Sequence, residues 1–479
     1  MNPASASAPD GGAADAPGIV HADAMPSDAP QLPVAIVGAG ACGLTAAIAL
    51  RDAGIDCVLL ERDPHPAGST ALSSGFVPAA GTAVQRAAGI VDDSAERFAA
   101  DIQAKARGTA CSELVSAYTR VIAPALDSLA SRHGLAFELL DGFLYPGHST
   151  RRMHALPQRT GAALVAALAA AADRAGAMLL TRARAVELWC DRADRIVGVG
   201  CMRGDGRIER IGCDWLVLAC NGFGGNRAMV RELLPQMRDA VFAGHAGNDG
   251  SAIAWGRQLR ARCADLGGYQ AHGSWAVPHG VLVTWALMTE GGVQINARGE
   301  RFHDESQGYS EAAVQVLAQP GSIAWNVFDE PLRALAEGFP DFRHASAAGA
   351  VRRCADAGAL AAAIGCEPQT LQATLAEVAA AAGAAKPDRF GRRFARALAA
   401  PFFAVRVTGA LFHTQGGLAI DAQCRVLRQD GAPMPNLLAA GGAARGVSGN
   451  AVWGYLSGNG LLSAIAGGWL AATTIAAGR

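Results

Sequence analysis

Three side chains stand where their type and neighbours could do chemistry. Tyr455 lies in "GNAVWGYLSGNGLLSAIAGG" (449–468), a phenol among glycines, followed by a smooth apolar helix pattern. A phenol can hydrogen-bond a ketone or donate a proton, and backbone that bare lets a ligand come close. His413 precedes paired glycines in "FHTQGGLAID" (412–421), where a histidine is less often core filler than on an apolar face. Arg301 lies in "GGVQINARGERFHDE" (291–305), close enough in sequence to pair with Asp304 or Glu305 as a structural ion pair. His272 and His279, in "YQAHGSWAVPHG", could equally be loop histidines with no task.

Such groups need a scaffold, and residues 32–63 supply one end of it. "PVAIV" reads as a short apolar strand, "GAGACG" as a turn containing Gly38, Gly40, Cys42 and Gly43, and "LTAAIALRDAG" as a helix. "DCVLLE" is a second strand ending at Glu61, beside Arg62. A lone G-x-G-x-x-G is weak; strand before, helix after and an acid on the second strand make a dinucleotide cradle. Gly38 permits the tight turn, Gly40 admits a pyrophosphate and Gly43 lets the helix pack. The helix N-terminus offers free N–H groups and a positive dipole to the phosphates. Glu61 is expected to accept from a ribose 2′-hydroxyl.

The next stretch, "HPAGSTALSSGFVPAAGT" (65–82), is a Gly/Ser/Thr loop where a nicotinamide domain would continue into a third strand. This run resembles the FAD-binding segment of the fumarate reductase/succinate dehydrogenase flavoprotein superfamily, which includes 3-ketosteroid dehydrogenases. The resemblance spans about residues 33 to 475. It implies an α/β fold: a Rossmann-like FAD-binding domain of the two-dinucleotide-binding flavoprotein type with an inserted α+β capping domain. Ser69, Thr70, Ala71 and Gly75 match the loop that wraps the flavin. No histidine lies between Gly68 and Gly81, so the FAD is expected to be held without a covalent link. "VLACNGFGGN" resembles the motif that brings Cys220, Asn221 and Gly222 to the FAD, and Ala185 and Val186 are implied as adenine contacts. "GNDGSAIAWGRQLRA" (247–261) resembles the family's helix start, where Asp249 also serves as a plain helix cap.

The same resemblance assigns roles to the reactive side chains. Arg301 falls in the motif G-x-R-F-x-x-E, whose arginine in fumarate reductases protonates the substrate carbon. With a pKa above ~12, an arginine acid works only against a strongly basic carbanion and with a relay. His413 matches H-T-x-G-G, whose histidine binds a carboxylate or carbonyl oxygen. "GYLSGNGLL" aligns with the last flavin motif, placing Gly458, Asn459 and Leu461 beside the ring, and Gly441, in "AAGGAARG", is implied as a further cofactor contact. Tyr455 then replaces an arginine that clamps a carboxylate, which removes the charge-assisted fork that selects dicarboxylates. Gly442 stands where relatives carry an acid.

The implied activity is hydride transfer between flavin N5 and a carbon next to a carbonyl or carboxylate, as C=C reduction or CH–CH dehydrogenation. The alternatives are a 3-ketosteroid or cyclic-ketone dehydrogenase, or an FAD-binding electron-transfer subunit without its own substrate. The expected partners are a small enoate, ketone or steroid-like substrate and a separate electron donor or acceptor.

The 479 residues allow several domains: a disordered tail (1–30), the FAD-binding domain in two parts (31–267 and 401–479) and a capping domain (268–400) over which a substrate pocket would close. Within them, 158–225 reads as helix, strand, hairpin and strand, and 355–385 as a helical segment. A net charge of −1, without charge blocks, argues against nucleic acid or an anionic membrane as partner. Eleven cysteines show no C-x-x-C pair and no metal spacing, which suggests reduced thiols, a cytoplasmic location and no metal. The apolar stretch 461–477 reads as a buried C-terminal helix and no stable membrane span.

Overall fold

A computed structural model of the protein describes residues 17–140, 144–384 and 386–479, as two compact units. The first comprises the chain up to Asn226, Gly244–Gly268 and His413–Arg479; the second comprises Arg227–Ala243 and Tyr269–Phe412.

In the first unit, largely apolar strands form a parallel sheet. Pro433–Ala439, Ile208–Leu218, Gln31–Val37, Cys57–Leu60 and Met178–Leu180 lie side by side in that order, all parallel. Their continuous apolar runs suit a sheet covered on both faces. The expected hairpin is Ala183–Cys190 with Ile196–Arg203, antiparallel to the first half of Ile208–Leu218. The expected tail needs correction, because Gly18–His21 pairs in parallel with Glu187–Cys190. Three of those four residues are partly buried, and the short β-branched run caps an edge that would otherwise be open. Residues 1–16 of that tail lie outside the described residues.

The helix Ala41–Asp52 crosses from Gln31–Val37 to Cys57–Leu60 and packs against Asn459–Ala477. Asn459–Ala477 is long and apolar enough to cross a membrane, yet half of it is buried inside the first unit. Gly467 and Gly468 explain how it lies so close. A Cβ on Gly468 would sit 2.3 Å from the Cys42 carbonyl oxygen, and one on Gly467 3.0 Å from Ala440 Cβ.

The second unit is built on Phe402–Thr414, whose neighbours include Tyr269–Ala276 and Ala324–Asp329. Ala324–Asp329 and Val351–Cys354 run antiparallel along its two sides, and Val241–Phe242 adds a short parallel pairing. The expected return to the first domain at 401 is therefore corrected: "PFFAVRV" is a buried strand of the second sheet, and the crossing falls after Phe412. Residues 227–243, read as part of the first domain, also belong to the second unit because Val241–Phe242 pairs there. The helical segment is two helices, Ala357–Ile364 and Pro368–Ala384, broken at Gly365 with φ +82°.

A buried ionic cluster ties this unit together. Glu305 Oε1 accepts from Arg301 Nε (3.0 Å) and the Gln294 amide (2.9 Å), while Oε2 accepts from Arg301 Nη2 (2.7 Å) and Arg392 Nη1 (2.6 Å). Asp388 takes Arg301 Nη1, and the guanidinium lies over the Phe394 ring at 4.9 Å. Burial opposes ionisation of Glu305, but the hydrogen bonds and charge of Arg301, then Arg392, pull its pKa down to about 2. A carboxylate with a lowered folded-state pKa contributes stability above its unfolded pKa and loses it as pH falls through the folded one.

Glu305→Gln leaves two buried guanidiniums short of an acceptor and should destabilise the protein by about 3–5 kcal/mol at neutral pH. In denaturant titrations, the gap to wild type should close as pH drops from about 4 towards 2; a pH-independent gap would disprove the ionic account. Gly468→Ala should cost about 1–3 kcal/mol by overpacking. Gly383, with nothing near its Cβ position in Pro368–Ala384, is the control: Gly383→Ala should hold or raise Tm.

Candidate functional site

The cradle of the first unit assigns each glycine its own task. Gly38 has φ +105°, and a Cβ there would sit 2.5 Å from the Ala219 carbonyl oxygen. A Cβ on Gly43 would lie 1.9 Å from the Gly38 oxygen, so helix Ala41–Asp52 starts pressed against its own turn. Gly40 differs: only Thr70 Oγ1 approaches, at 3.5 Å, and its backbone face stays open. Cys42 is buried one residue before Gly43.

Glu61 is buried and braces this loop, accepting from the Ala39 amide through Oε2 (3.0 Å) and the Asp63 amide through Oε1 (2.9 Å). The expected ribose contact is left to the second lone pair that each oxygen keeps. Thr70 Oγ1 accepts from the Ala41 amide (3.0 Å), and Ser69 Oγ accepts from Asn221 Nδ2 and Asn248 Nδ2 (both 2.9 Å). Ala71 follows in the short helix Gly68–Leu72, and Gly75, at φ +71°, passes 2.7 Å from the Thr160 oxygen at its Cβ position. Arg62 pairs with Asp249 (3.1 Å), which also accepts from the Ser251 amide (3.0 Å); the N-cap of Ser251–Gln258 is Gly250, one residue after Asp249. The ladder between Ala183–Cys190 and Ile196–Arg203 slips at Val186, next to Ala185, which breaks its regular pairing there.

Behind Cys220, Asn221 adopts φ +66° and its Oδ1 accepts from the Gly222 amide (2.8 Å). A Cβ on Gly222 would lie 2.0 Å from Thr414 Oγ1, and one on Gly442 2.0 Å from Asn221 Oδ1. The space that an acid at position 442 would need is taken by the Asn221 amide. Gly441, at φ +59°, lies against Cys42.

The reactive end lies where Asn459–Ala477 begins, behind Gly458 at φ +90°. His413 and Tyr455 meet there, rings 5.5 Å apart and near perpendicular at 73°. A Cβ on Gly460 would be 3.1 Å from His413 Nε2 and 3.7 Å from the Tyr455 hydroxyl. Both polar tips therefore converge on one bare point in the first turn of the helix, whose leading N–H groups lack intrahelical acceptors. Burial pushes the His413 pKa down to about 4, so the imidazole is neutral at physiological pH. Leu461 follows in the same turn.

FAD fits these residues on two observations. Asn459 Oδ1 and Ser463 Oγ are buried without a hydrogen-bond partner, which is costly unless a ligand completes them. Gly40 presents open backbone at the other end. The cradle, the Ser69–Thr70 loop, Asn221 and the start of Asn459–Ala477 would hold it.

Arg301 belongs to the second unit, where its guanidinium pairs with Glu305, as its sequence neighbours allow, and with Asp388. His272 is a core residue, stacked on Tyr309 at 5.0 Å and lowered to a pKa of about 3 by burial; His279 is exposed. Reading the sequence missed Gln415 and Ser448 beside His413, and Asn248 beside Ser69. It also missed His148, whose Nε2 meets the Ser457 carbonyl (3.0 Å), two residues from Tyr455, and whose Nδ1 faces Arg152, itself paired with Asp93. Gln415 and Asn248 carried a usable signal, their places inside "HTQGG" and "GNDG"; Ser448 and His148 enter through pairings between distant segments.

A probable fumarate reductase of Shewanella frigidimarina is 27% identical over 450 residues, covering 94% of this chain and 75% of the relative. The open conformation of a flavocytochrome c3 fumarate reductase superposes with a TM-score of 0.81 at 26% identity, over 94% of this chain and 79% of that one. A 3-ketosteroid-Δ4-(5α)-dehydrogenase from Rhodococcus jostii RHA1 shares the fold, with a TM-score of 0.76 at 24% identity over 93% and 97% of the two chains. The family model described as FAD binding domain matches residues 33–461, and this chain belongs to that family.

Proposed function

We propose that the protein is an FAD-dependent oxidoreductase acting on a C–C bond next to a carbonyl or carboxylate, in the manner of the fumarate reductases it is similar to. The observation that carries this is the convergence of His413 Nε2 and the Tyr455 hydroxyl at Gly460. Bound FAD supplies the two-electron chemistry, as hydride donor or acceptor. The chain's own residues supply activation: two hydrogen-bonding tips and the N-terminal dipole of Asn459–Ala477 aim at one oxygen, where negative charge develops when a neighbouring carbon gains hydride or loses a proton.

His413 is neutral and Tyr455 is a phenol where an arginine clamp would stand, so this pair suits an uncharged carbonyl oxygen better than a second carboxylate. That specific substitution supports a second reading within the same chemistry, a cyclic ketone as substrate. The electron partner in this proposal is a separate donor or acceptor. The eleven cysteines, all free thiols, support a reducing, cytoplasmic compartment.

Anaerobic photoreduction of the purified protein, followed by candidate enones and enoates, should identify a compound that reoxidises the flavin. If no compound of either class does so, the substrate proposal fails. Tyr455→Phe should retain FAD and lower kcat by about 10²–10³-fold, as loss of one oxyanion donor does elsewhere; turnover within twofold of wild type would remove Tyr455 from the mechanism. Because His413 is already neutral, kcat/KM should show no histidine limb near pH 6.5. A limb there that vanishes in His413→Gln would overturn the neutral donor.

A further inference from the structure

A chain of side-chain hydrogen bonds runs from His413 to the start of Asn459–Ala477. Gln415 Nε2 lies 3.1 Å from His413 Nδ1, Gln415 Oε1 accepts from Ser448 Oγ at 2.7 Å, and Ser448 Oγ accepts from Asn459 Nδ2 at 3.0 Å. Gln415, Ser448 and Asn459 are all buried. The chain ends at Asn459 Oδ1, which has no partner.

The chemistry of each link sets the direction of the whole. Ser448 has one hydrogen; receiving from Asn459, it gives that hydrogen to the Gln415 carbonyl. The Gln415 amide nitrogen then faces His413 with donors only, so Nδ1 must be the bare nitrogen and Nε2 the protonated one. Gln415 is free for this task because its backbone is held separately, its amide by the Gly268 oxygen and its carbonyl by the Gly446 amide (both 2.7 Å). A rival exists: the Thr414 carbonyl lies 3.4 Å from Nδ1 and would favour the opposite tautomer, but at a longer distance.

We propose that Gln415 is a positioning residue that holds His413 as the Nε2–H tautomer, with Ser448 and Asn459 fixing the orientation of its amide. The Nε2 hydrogen is the one directed at the point shared with Tyr455. An N–H donor on a bound ligand, of the kind a flavin's pyrimidine ring presents, would complete Asn459 Oδ1 and lock the chain in this direction. The tautomer assignment stands on the geometry alone; its meaning as a substrate contact rests on the function proposed above.

The test reads the tautomer and needs no turnover. The full-length protein, labelled with 15N-histidine and measured with and without FAD, gives the His413 ring nitrogens by long-range 15N–1H correlation, assigned by their loss in His413→Gln. Wild type should show Nε2 protonated and Nδ1 bare, with sharper signals once FAD is bound. Gln415→Glu replaces the donor by an acceptor and should move the proton to Nδ1, at unchanged FAD stoichiometry and with kcat falling at least tenfold while KM stays within about threefold. Ser448→Ala frees the Gln415 amide and should give a mixture of tautomers.

Nδ1–H in the wild type, or the same tautomer in wild type and Gln415→Glu, overturns the inference and leaves the proposed function standing. Nε2–H in a protein that no enone or enoate reoxidises overturns the function and leaves the positioning role. Should Gln415→Glu not fold, wild type against Ser448→Ala decides: an unmixed Nε2–H signal in Ser448→Ala denies the chain its role.

Discussion

Close approach of bare backbone governs the first unit. The Cβ positions of Gly38, Gly43, Gly222, Gly442 and Gly468 all fall within 2.5 Å of an oxygen on another segment, or on the turn itself. No side chain can be added at any of them without moving main chain, the Asn221 amide or the Thr414 hydroxyl. These contacts bring three segments far apart in sequence, around Gly38, Asn221 and Gly441, to one place. Hydrogen bonding then finishes what the glycines allow. Glu61 holds the loop between Gly38 and Gly40, Thr70 holds the head of Ala41–Asp52, and Ser69 is gripped by Asn221 and Asn248. A cradle assembled this way is preorganised, so ligand binding need not order it.

The two units handle buried polarity in opposite ways. In the second, Glu305 fills all its lone pairs from Arg301, Arg392 and a backbone amide, and the charges cancel locally. A guanidinium so engaged is spent on cohesion. Around His413 the polarity is neutral and directional, passing through an amide, a hydroxyl and a second amide to an unpartnered oxygen. Incomplete satisfaction is what marks that region as a place for a ligand, since a buried unpaired acceptor costs stability in its absence.

Gly442 leaves room that a neighbour uses. With no side chain at 442, Asn221 moves its Oδ1 into the space and bonds the Gly222 amide, which keeps the positive-φ turn closed. The segment of Tyr455 carries no charge of its own and is steadied through the Ser457 carbonyl by His148, which Arg152 and Asp93 hold from behind.

What the sequence determined by itself is whatever local pattern controls. The strand–turn–helix at 34–52, the acid at 61, the hairpin at 183–203 and the C-terminal helix are short-range, set by β-branched runs, glycine spacing and apolar periodicity. The cradle glycines at 38, 40 and 43 were legible for the same reason, as residue types in a spacing, whereas the roles of the later glycines, His413 and Tyr455 were implied by the resemblance to a known family. Only the tertiary structure decided the rest. Gly18–His21 became a strand because a partner edge was available, and 401–412 stayed in the second sheet because Ala324–Asp329 and Val351–Cys354 flank it. Arg301 went to Glu305 and Asp388, and His413 gained Gln415 as its neighbour along a strand end and Ser448 behind that. Pairings between distant residues depend on where the chain crosses itself, and no local pattern of residue types encodes that crossing.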